Sequence, residues 1–415
     1  MTSVLAFLTR HGMEPERMSD AELTAAYRSA MELGLAGGES SVPMLTSYIY
    51  ADTTPALNTP TVVIDAGGTN FRRALVTFTK KGTVIQELEQ SSMPGTHEEA
   101  TWEEFISCCA DAVEPLLDRA RHIGVCFSYS FTPTPDRDGR VIKITKQVRI
   151  SGAEDRPICG DLKAELERRG HYGLSFCLLN DTLAVQLGVA AAERIAPKDC
   201  MGLVCGTGSN VCCAVHTDQI TKLTNVLKGY MLINTESGFF HDVLQGDYDK
   251  MLDDQSLDPG HARSEKMVSG AYLGELCRLT LKGAAADDLF SDEGKTIMEG
   301  LEVLTSNEAD TMSGPLAALN EADAAIADAI IDAIFDRSAK IICCTLSTVM
   351  ELTDAGRDKP FHIGAEGSLF QKSRRFRPHL DRRMNDWAAN TLGRQYDFLT
   401  CQNTTLIGTA CAALL

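Results

Sequence analysis

No G-x-x-x-x-G-K-S/T loop and no dinucleotide fingerprint occurs in this chain of 415 residues. Gly294-Lys295-Thr296 ends like such a loop, but Leu289 stands where its first glycine is required, and the acidic setting reads as a surface loop. None of the fourteen cysteines falls in a C-x-x-C pair, and no two of the nine histidines stand four apart. That excludes the usual zinc spacings and a secreted disulfide framework. Most cysteines lie in apolar runs, as buried thiols do. The first apolar run is short and followed by Arg10, unlike a signal peptide, so a reducing cytoplasm is the expected compartment. No apolar run approaches the roughly 20 residues of a membrane span. Positive charge is scarce: 39 Lys and Arg face 57 Asp and Glu, a net charge of −18. That balance argues against nucleic acid and anionic membranes as partners, and an anionic ligand must be captured by local groups or arrive with a metal ion.

The length suits two domains, and 44% hydrophobic with 23% charged residues is ordinary for a globular protein. Within it, 61–78 (TVVIDAGGTNFRRALVTF) reads as a strand, a small-residue turn and a return strand. Gly67 and Gly68 leave backbone N–H groups unobstructed for an oxyanion, and Thr69 and Asn70 add donors. Arg72 adds a charged fork suited to phosphate. Asp65 would repel bare phosphate but could hold the water shell of a Mg²⁺ carried on it. An ordinary β-hairpin would read the same way on this stretch alone. A second copy changes the balance. In 201–216 (MGLVCGTGSNVCCAVH) a strand meets Gly206-Thr207-Gly208-Ser209-Asn210 and returns as a strand. Two such units suggest a duplicated architecture with one phosphate turn in each half.

Elsewhere, 1–36 reads as two helices, with a capping box at Ser19-Asp20-Ala21-Glu22 and a stop at Gly37-Gly38. Apolar spacing predicts helices over 100–120, 161–169, 183–194, 262–282 and 321–352. Strands are expected over 83–89, 123–131, 174–179, 231–236, 361–369 and 396–401. Acidic loops are expected over 242–260 and 284–293. The strand ending at 179 runs into Asn180-Asp181-Thr182. An aspartate there can cap a helix, and it also stands where open α/β sheets place ligand groups.

With these pieces assembled, the chain resembles the hexokinase family of ATP-dependent sugar kinases over nearly its whole length. DAGGTNFRRALV resembles the first phosphate motif, ITKQVRISGAE the sugar-binding Thr-Lys segment, and LLNDTLAVQL the Asn-Asp-Thr of the catalytic base. CGTGSN resembles the second phosphate loop, INTESG and the segment through EKMVSGAYLGEL the two sugar-binding glutamates, and IGAEGSLF a Gly-Asp-Gly-Ser turn. The resemblance implies a duplicated actin-like (ribonuclease H-like) α/β fold with two domains and a cleft. The small domain would be 61–179 plus 402–415, and the large domain 1–60 plus 180–401.

The implied activity is transfer of the ATP γ-phosphoryl group to the 6-hydroxyl of a hexose, glucose foremost, feeding glycolysis. Asp181 would be the general base, and Lys146 would stabilise the transferring group. Ser128, Thr145, Lys146, Asn180, Asp181, Asn210, Glu236 and Glu265 would hold the sugar. Asp65, Gly67, Gly68, Thr69, Asn70, Arg72, Gly206, Thr207, Gly208 and Gly408 would hold ATP. Mg²⁺ would ride on the nucleotide and reach Asp65 and Asp181 through water. Domain closure is expected about hinges near 51–60, 179–182 and 400–407.

Departures from the family pattern are local. Ser128-Tyr129-Ser130 replaces Ser-Phe-Pro, Ser237 replaces a bulky residue after the Asn-Thr-Glu, and the last nucleotide motif reads NTTLIGTA. The segment 283–320 is short, and a chain ending soon after Gly408 argues against elaborate sugar-driven kinetic regulation. The competing readings are a kinase for another sugar or amino sugar, a non-catalytic sugar sensor, and an actin-like ATPase.

Overall fold

The computed structural model describes residues 2–52, 54–68, 70–144, 148–224 and 226–415. Helices α1 (Thr2–Arg10) and α2 (Asp20–Ala36) come first. The Ser19 hydroxyl accepts from the Glu22 N–H, Glu22 accepts from the Ser19 N–H, and Gly37 closes α2 with φ 79°. Strand β1 (Leu45–Tyr50) precedes a meander of β2 (Thr61–Gly67), β3 (Asn70–Thr79) and β4 (Gly82–Ser92). Thr101, in β5 (Ala100–Thr101), caps α3 (Trp102–Val113) through a second capping box. After β6 (His122–Phe127), the strands β7 (Ser130–Pro133) and β8 (Gly139–Lys143) pair with each other, and β9 (Ile150–Ser151) pairs with β5. The first half closes with α4 (Ile158–Arg168), β10 (Ser175–Leu179) and α5 (Asp181–Glu193).

The second half repeats the plan. A meander of β11 (Cys200–Cys205), β12 (Ser209–His216) and β13 (Tyr230–Asn234) leads to α6 (Asp247–Gln255), α7 (Arg263–Val268) and α8 (Leu273–Ala286). Short helices α9 (Asp292–Glu299) and α10 (Ser306–Thr311) precede the 32-residue α11 (Glu321–Leu352). Strand β14 (Phe361–Glu366), α12 (Ser368–Lys372), α13 (Phe376–Arg383), β15 (Tyr396–Leu399) and α14 (Thr404–Leu414) finish the chain.

The two large sheets have one topology. The first runs β4-β3-β2-β6-β10 and the second β13-β12-β11-β14-β15, with β1 added antiparallel beside β13. In each, the meander is antiparallel and the last two strands are parallel, as crossover helices require. Parallel strands need cover on both faces. Helices α5 and α14, each following the last strand of its half, pack on one another between the sheets. Ten of the eleven residues of α14 are buried, from Thr404 to Ala413, so it is covered on every face rather than lying on the surface.

Several expectations are corrected. The acidic stretch 242–260 holds a helix, α6, because its acids are partnered: Asp249 accepts from both Arg337 terminal nitrogens at 2.6 and 2.8 Å, and Asp253 from Lys266 at 2.7 Å. The helix expected over 262–282 breaks at Ser269 into α7 and α8. Gly294-Lys295-Thr296 lies inside α9, capped by Ser291, and not in a loop. The strand expected over 123–131 divides at Ser128 into β6 and β7.

Candidate active site

Each meander turns at its glycines. In the first half the β2–β3 register continues to Gly67 opposite Asn70, and Gly68 adopts φ 54°. A Cβ on Gly67 would come 3.2 Å from both Asp65 Oδ1 and the Ser128 hydroxyl, which brings the phosphate turn and the sugar loop into contact. The Ser128 N–H donates to the Ala66 carbonyl at 3.2 Å. Asn70 is exposed and accepts from Gln90 at 3.1 Å. Asp65 is buried and paired with Arg72, whose Nε donates at 3.0 Å and whose Nη2 also binds the carboxylate. Thr405, in the first turn of α14, donates to Asp65 at 3.3 Å and accepts from Arg72 at 2.7 Å. In the structure the Arg72 Nε and Nη2 are directed at Asp65 and Thr405.

The second turn is held from behind. The Gly206 N–H donates to the Gly208 carbonyl at 2.9 Å, and the Gly206 and Thr207 carbonyls accept from the Gly270 and Ala271 N–H groups at 2.7 and 3.1 Å. Those two bonds explain the break between α7 and α8: the chain leaves the helix to brace the turn. Thr207 itself is exposed.

The expected sugar side chains gather beyond this turn. Asn210 donates to Asn234 at 2.6 Å, and Asn234 donates to Glu236 at 2.8 Å. Glu236 sits in left-handed backbone (φ 54°), a strained conformation of the kind that clusters at ligand sites. Glu265 occupies the space that Gly208 and Gly238 leave; a Cβ on either would come within 3.3 and 2.9 Å of its carboxylate. Behind it, Tyr27 stacks on Phe240 at 3.8 Å between centroids and shares a 2.7 Å hydrogen bond with Ser264. Asn180, Asn234, Glu236, Ser47, Tyr129 and Phe131 contribute to the lining of one small solvent-open pocket.

Asn180, rather than Asp181, caps α5, its carbonyl oxygen accepting from the Thr182 N–H at 2.9 Å. Asp181 is the first residue of α5, half-buried, and accepts from Thr182 Oγ1 at 3.3 Å. Burial chiefly raises the thiol pKa of Cys126 in β6 and of Cys212 in β12, and that of the Glu366 carboxyl at the end of β14, and the Asp181 charge adds to each rise. Those three residues belong to both sheets, so Asp181 lies between the two halves.

Glu366 is a site residue that sequence reasoning missed. Burial pushes its carboxyl above the ordinary value, opposed by the Thr404 hydroxyl and by Arg72, while Asp65 and Asp181 add to the rise. Its Oε2 finds no hydrogen-bond partner among the described residues. Asn234 and Thr405 were missed too. The Asn-Thr-Glu motif was the available signal for Asn234; nothing local marked Thr405. Gly408 lies buried in mid-α14, where a Cβ would overlap the Ala184 carbonyl of α5, so its small size sets the packing of the two helices. Thr69, Thr145 and Lys146, and Thr53 in one expected hinge, lie outside the described residues.

The architecture is the two-domain, actin-like α/β fold of sugar kinases. The solved structure of the hexokinase from Schistosoma mansoni complexed with glucose superposes with a TM-score of 0.79, covering 100% of this chain and 99% of that one at 21% identity. The ROK hexokinase from Thermus thermophilus gives 0.53 at 16% identity over 85% and 97%. Family models described as hexokinase match residues 7–191 and 200–415, and the chain belongs to the hexokinase family. Hexokinase-7 of Oryza sativa subsp. japonica is 30% identical over 328 residues, 74% of this chain and 70% of that protein. The chloroplastic hexokinase-4 of the same plant is 33% identical over 284 residues, 64% of this chain and 55% of that protein. Human hexokinase-2 is 26% identical over 409 residues, 89% of this chain and 44% of that protein. The chain thus spans about half the length of the last two relatives. No helix among the described residues is long and apolar enough to cross a membrane.

Proposed function

We propose that this chain is a hexose kinase that moves the γ-phosphoryl group of Mg-ATP to the 6-hydroxyl of a hexose, glucose foremost. The P–O bond to the β-phosphate breaks as the O6–P bond forms, and the hydroxyl proton passes to the Asp181 carboxylate. Such transfer needs alignment and charge stabilisation more than covalent help. A carboxylate within hydrogen-bond reach orients the hydroxyl and accepts its proton as bonding develops. The backbone of the two Gly-rich turns would receive phosphate oxygens. Asn180, Asn210, Glu236 and Glu265 would read the sugar hydroxyls, each left unpaired by a wrong stereoisomer. The observation that carries this reading is the position of Asp181 between two topologically equivalent halves, next to a pocket lined by Asn180, Asn234 and Glu236.

We assign 61–179 with 402–415 to a small domain and 1–60 with 180–401 to a large one, closing on the sugar. Mg²⁺ arrives on ATP. A reducing compartment such as the cytoplasm suits fourteen cysteines that are all free thiols, twelve of them buried. Purified protein with Mg-ATP and a panel of glucose, mannose, fructose and an N-acetylated hexosamine tests the proposal by ADP release. Hexose-dependent ADP supports the kinase. Hexosamine-dependent ADP alone selects an amino-sugar kinase. Sugar-independent ADP selects an ATPase, and binding without ADP a sensor.

A further inference from the structure

Tyr129 stands where the sugar pocket meets the first phosphate turn. Its ring is 4% exposed and shares the pocket wall with Phe131, Asn180 and Glu236. Its hydroxyl donates to the carbonyl of Gly68. The ring is held from behind by Phe127, 5.1 Å away between centroids, and Phe127 in turn meets Phe131 at 6.2 Å. One residue earlier, the Ser128 N–H holds the Ala66 carbonyl. The segment Ser128-Tyr129 is thus fastened to the end of β2 and to the turn beyond it. Gly68 is the compliant point of that turn: its φ is 54°, and a Cβ there would meet nothing within 4 Å. A glycine so placed keeps its orientation only if its polar groups are held. The chain also lacks proline at 130, whose fixed φ would have stiffened the loop, so the tether adds to the hold that the Ser128 N–H bond and the β7–β8 pairing supply.

We propose that Tyr129 is a positioning residue that couples the two substrate sites. Hexose against the ring fixes the phenol, and the phenol fixes the Gly68 carbonyl, so that the turn is set for phosphate when sugar is bound. Burial holds the phenol up at about 12, so it remains a proton donor throughout the neutral range. The inference rests on the hexose kinase reading, and it adds a route by which sugar occupancy tunes the nucleotide turn.

Tyr129→Phe removes one oxygen and leaves the packed ring, so the full-length variant should fold, with a melting temperature lower by no more than about 4 °C. Glucose affinity, measured without nucleotide, should stay within about twofold of wild type. The KM for Mg-ATP at saturating glucose should rise about fivefold, the equivalent of roughly 1 kcal/mol and of one net hydrogen bond. The tightening of Mg-ATP binding by glucose should fall by the same factor. A merely structural tyrosine would weaken both substrates alike; that outcome overturns the proposal, as does an unchanged KM for Mg-ATP. A wild-type chain that releases no ADP with any sugar of the panel overturns the kinase reading instead, and is told apart because it needs no variant.

Discussion

At the scale of single residues, the chemistry sits in carboxylates whose surroundings differ. Asp65 is paired with Arg72, Asp181 lies between the sheets, and Glu366 is half-buried near both with its Oε2 buried and unpartnered among the described residues. Glu366 ionises above its ordinary 4.5 in the folded chain, chiefly because burial disfavours the charge. Between its unfolded and folded values the native state binds more protons than the unfolded one. Its stabilising share is therefore complete below the unfolded value and is lost as pH rises through the folded one. Glutamine carries no such proton. Glu366→Gln should gain melting temperature on wild type as pH rises from about 4 to about 7; parallel melting curves at every pH would refute the assignment. The glutamates and Asp181 were legible because short motifs surround them. The Arg72–Asp65 ion pair was not legible, because a charged fork reads the same whether it meets a phosphate or the aspartate paired opposite it in the hairpin.

At the scale of elements, α5 and α14 carry the join between the sheets, and glycine sets how closely they approach. Gly408 in α14 meets Ala184 of α5, and Gly188 of α5 meets Thr404 of α14. Helix propensity alone would make Gly408→Ala more stable by about 1 kcal/mol. Overlap with a backbone carbonyl instead predicts a loss of about 1–3 kcal/mol. The urea midpoint should therefore fall, and a rise would show that the crossing is loose. Helix α11 was readable from its apolar period. Helices α6 and α9 were not, since acidic residues look solvated in a sequence, and only the fold supplies Arg337 opposite Asp249. The α7–α8 break was invisible for a related reason: its cause is two hydrogen bonds to the Gly206-Thr207 turn, more than sixty residues earlier in the chain.

At the scale of the molecule, two halves of like topology, joined through α5 and α14, form the frame on which the proposed closure acts. The duplication was visible in the paired Gly turns; the shared strand order was not, because pairing partners lie far apart in the sequence. Closure predicts that glucose lowers the radius of gyration measured by solution scattering from the roughly 22 Å expected of a compact chain this long. An unchanged radius would argue against sugar-driven closure.

The kinase assignment depends most on the carboxylate of Asp181, and Asp181→Asn isolates it. Turnover of Mg-ATP with saturating glucose should fall about 10²- to 10⁴-fold while glucose affinity stays within a few-fold of wild type. A variant that keeps wild-type turnover within about threefold would remove Asp181 from the role of base and, with it, the proposed mechanism.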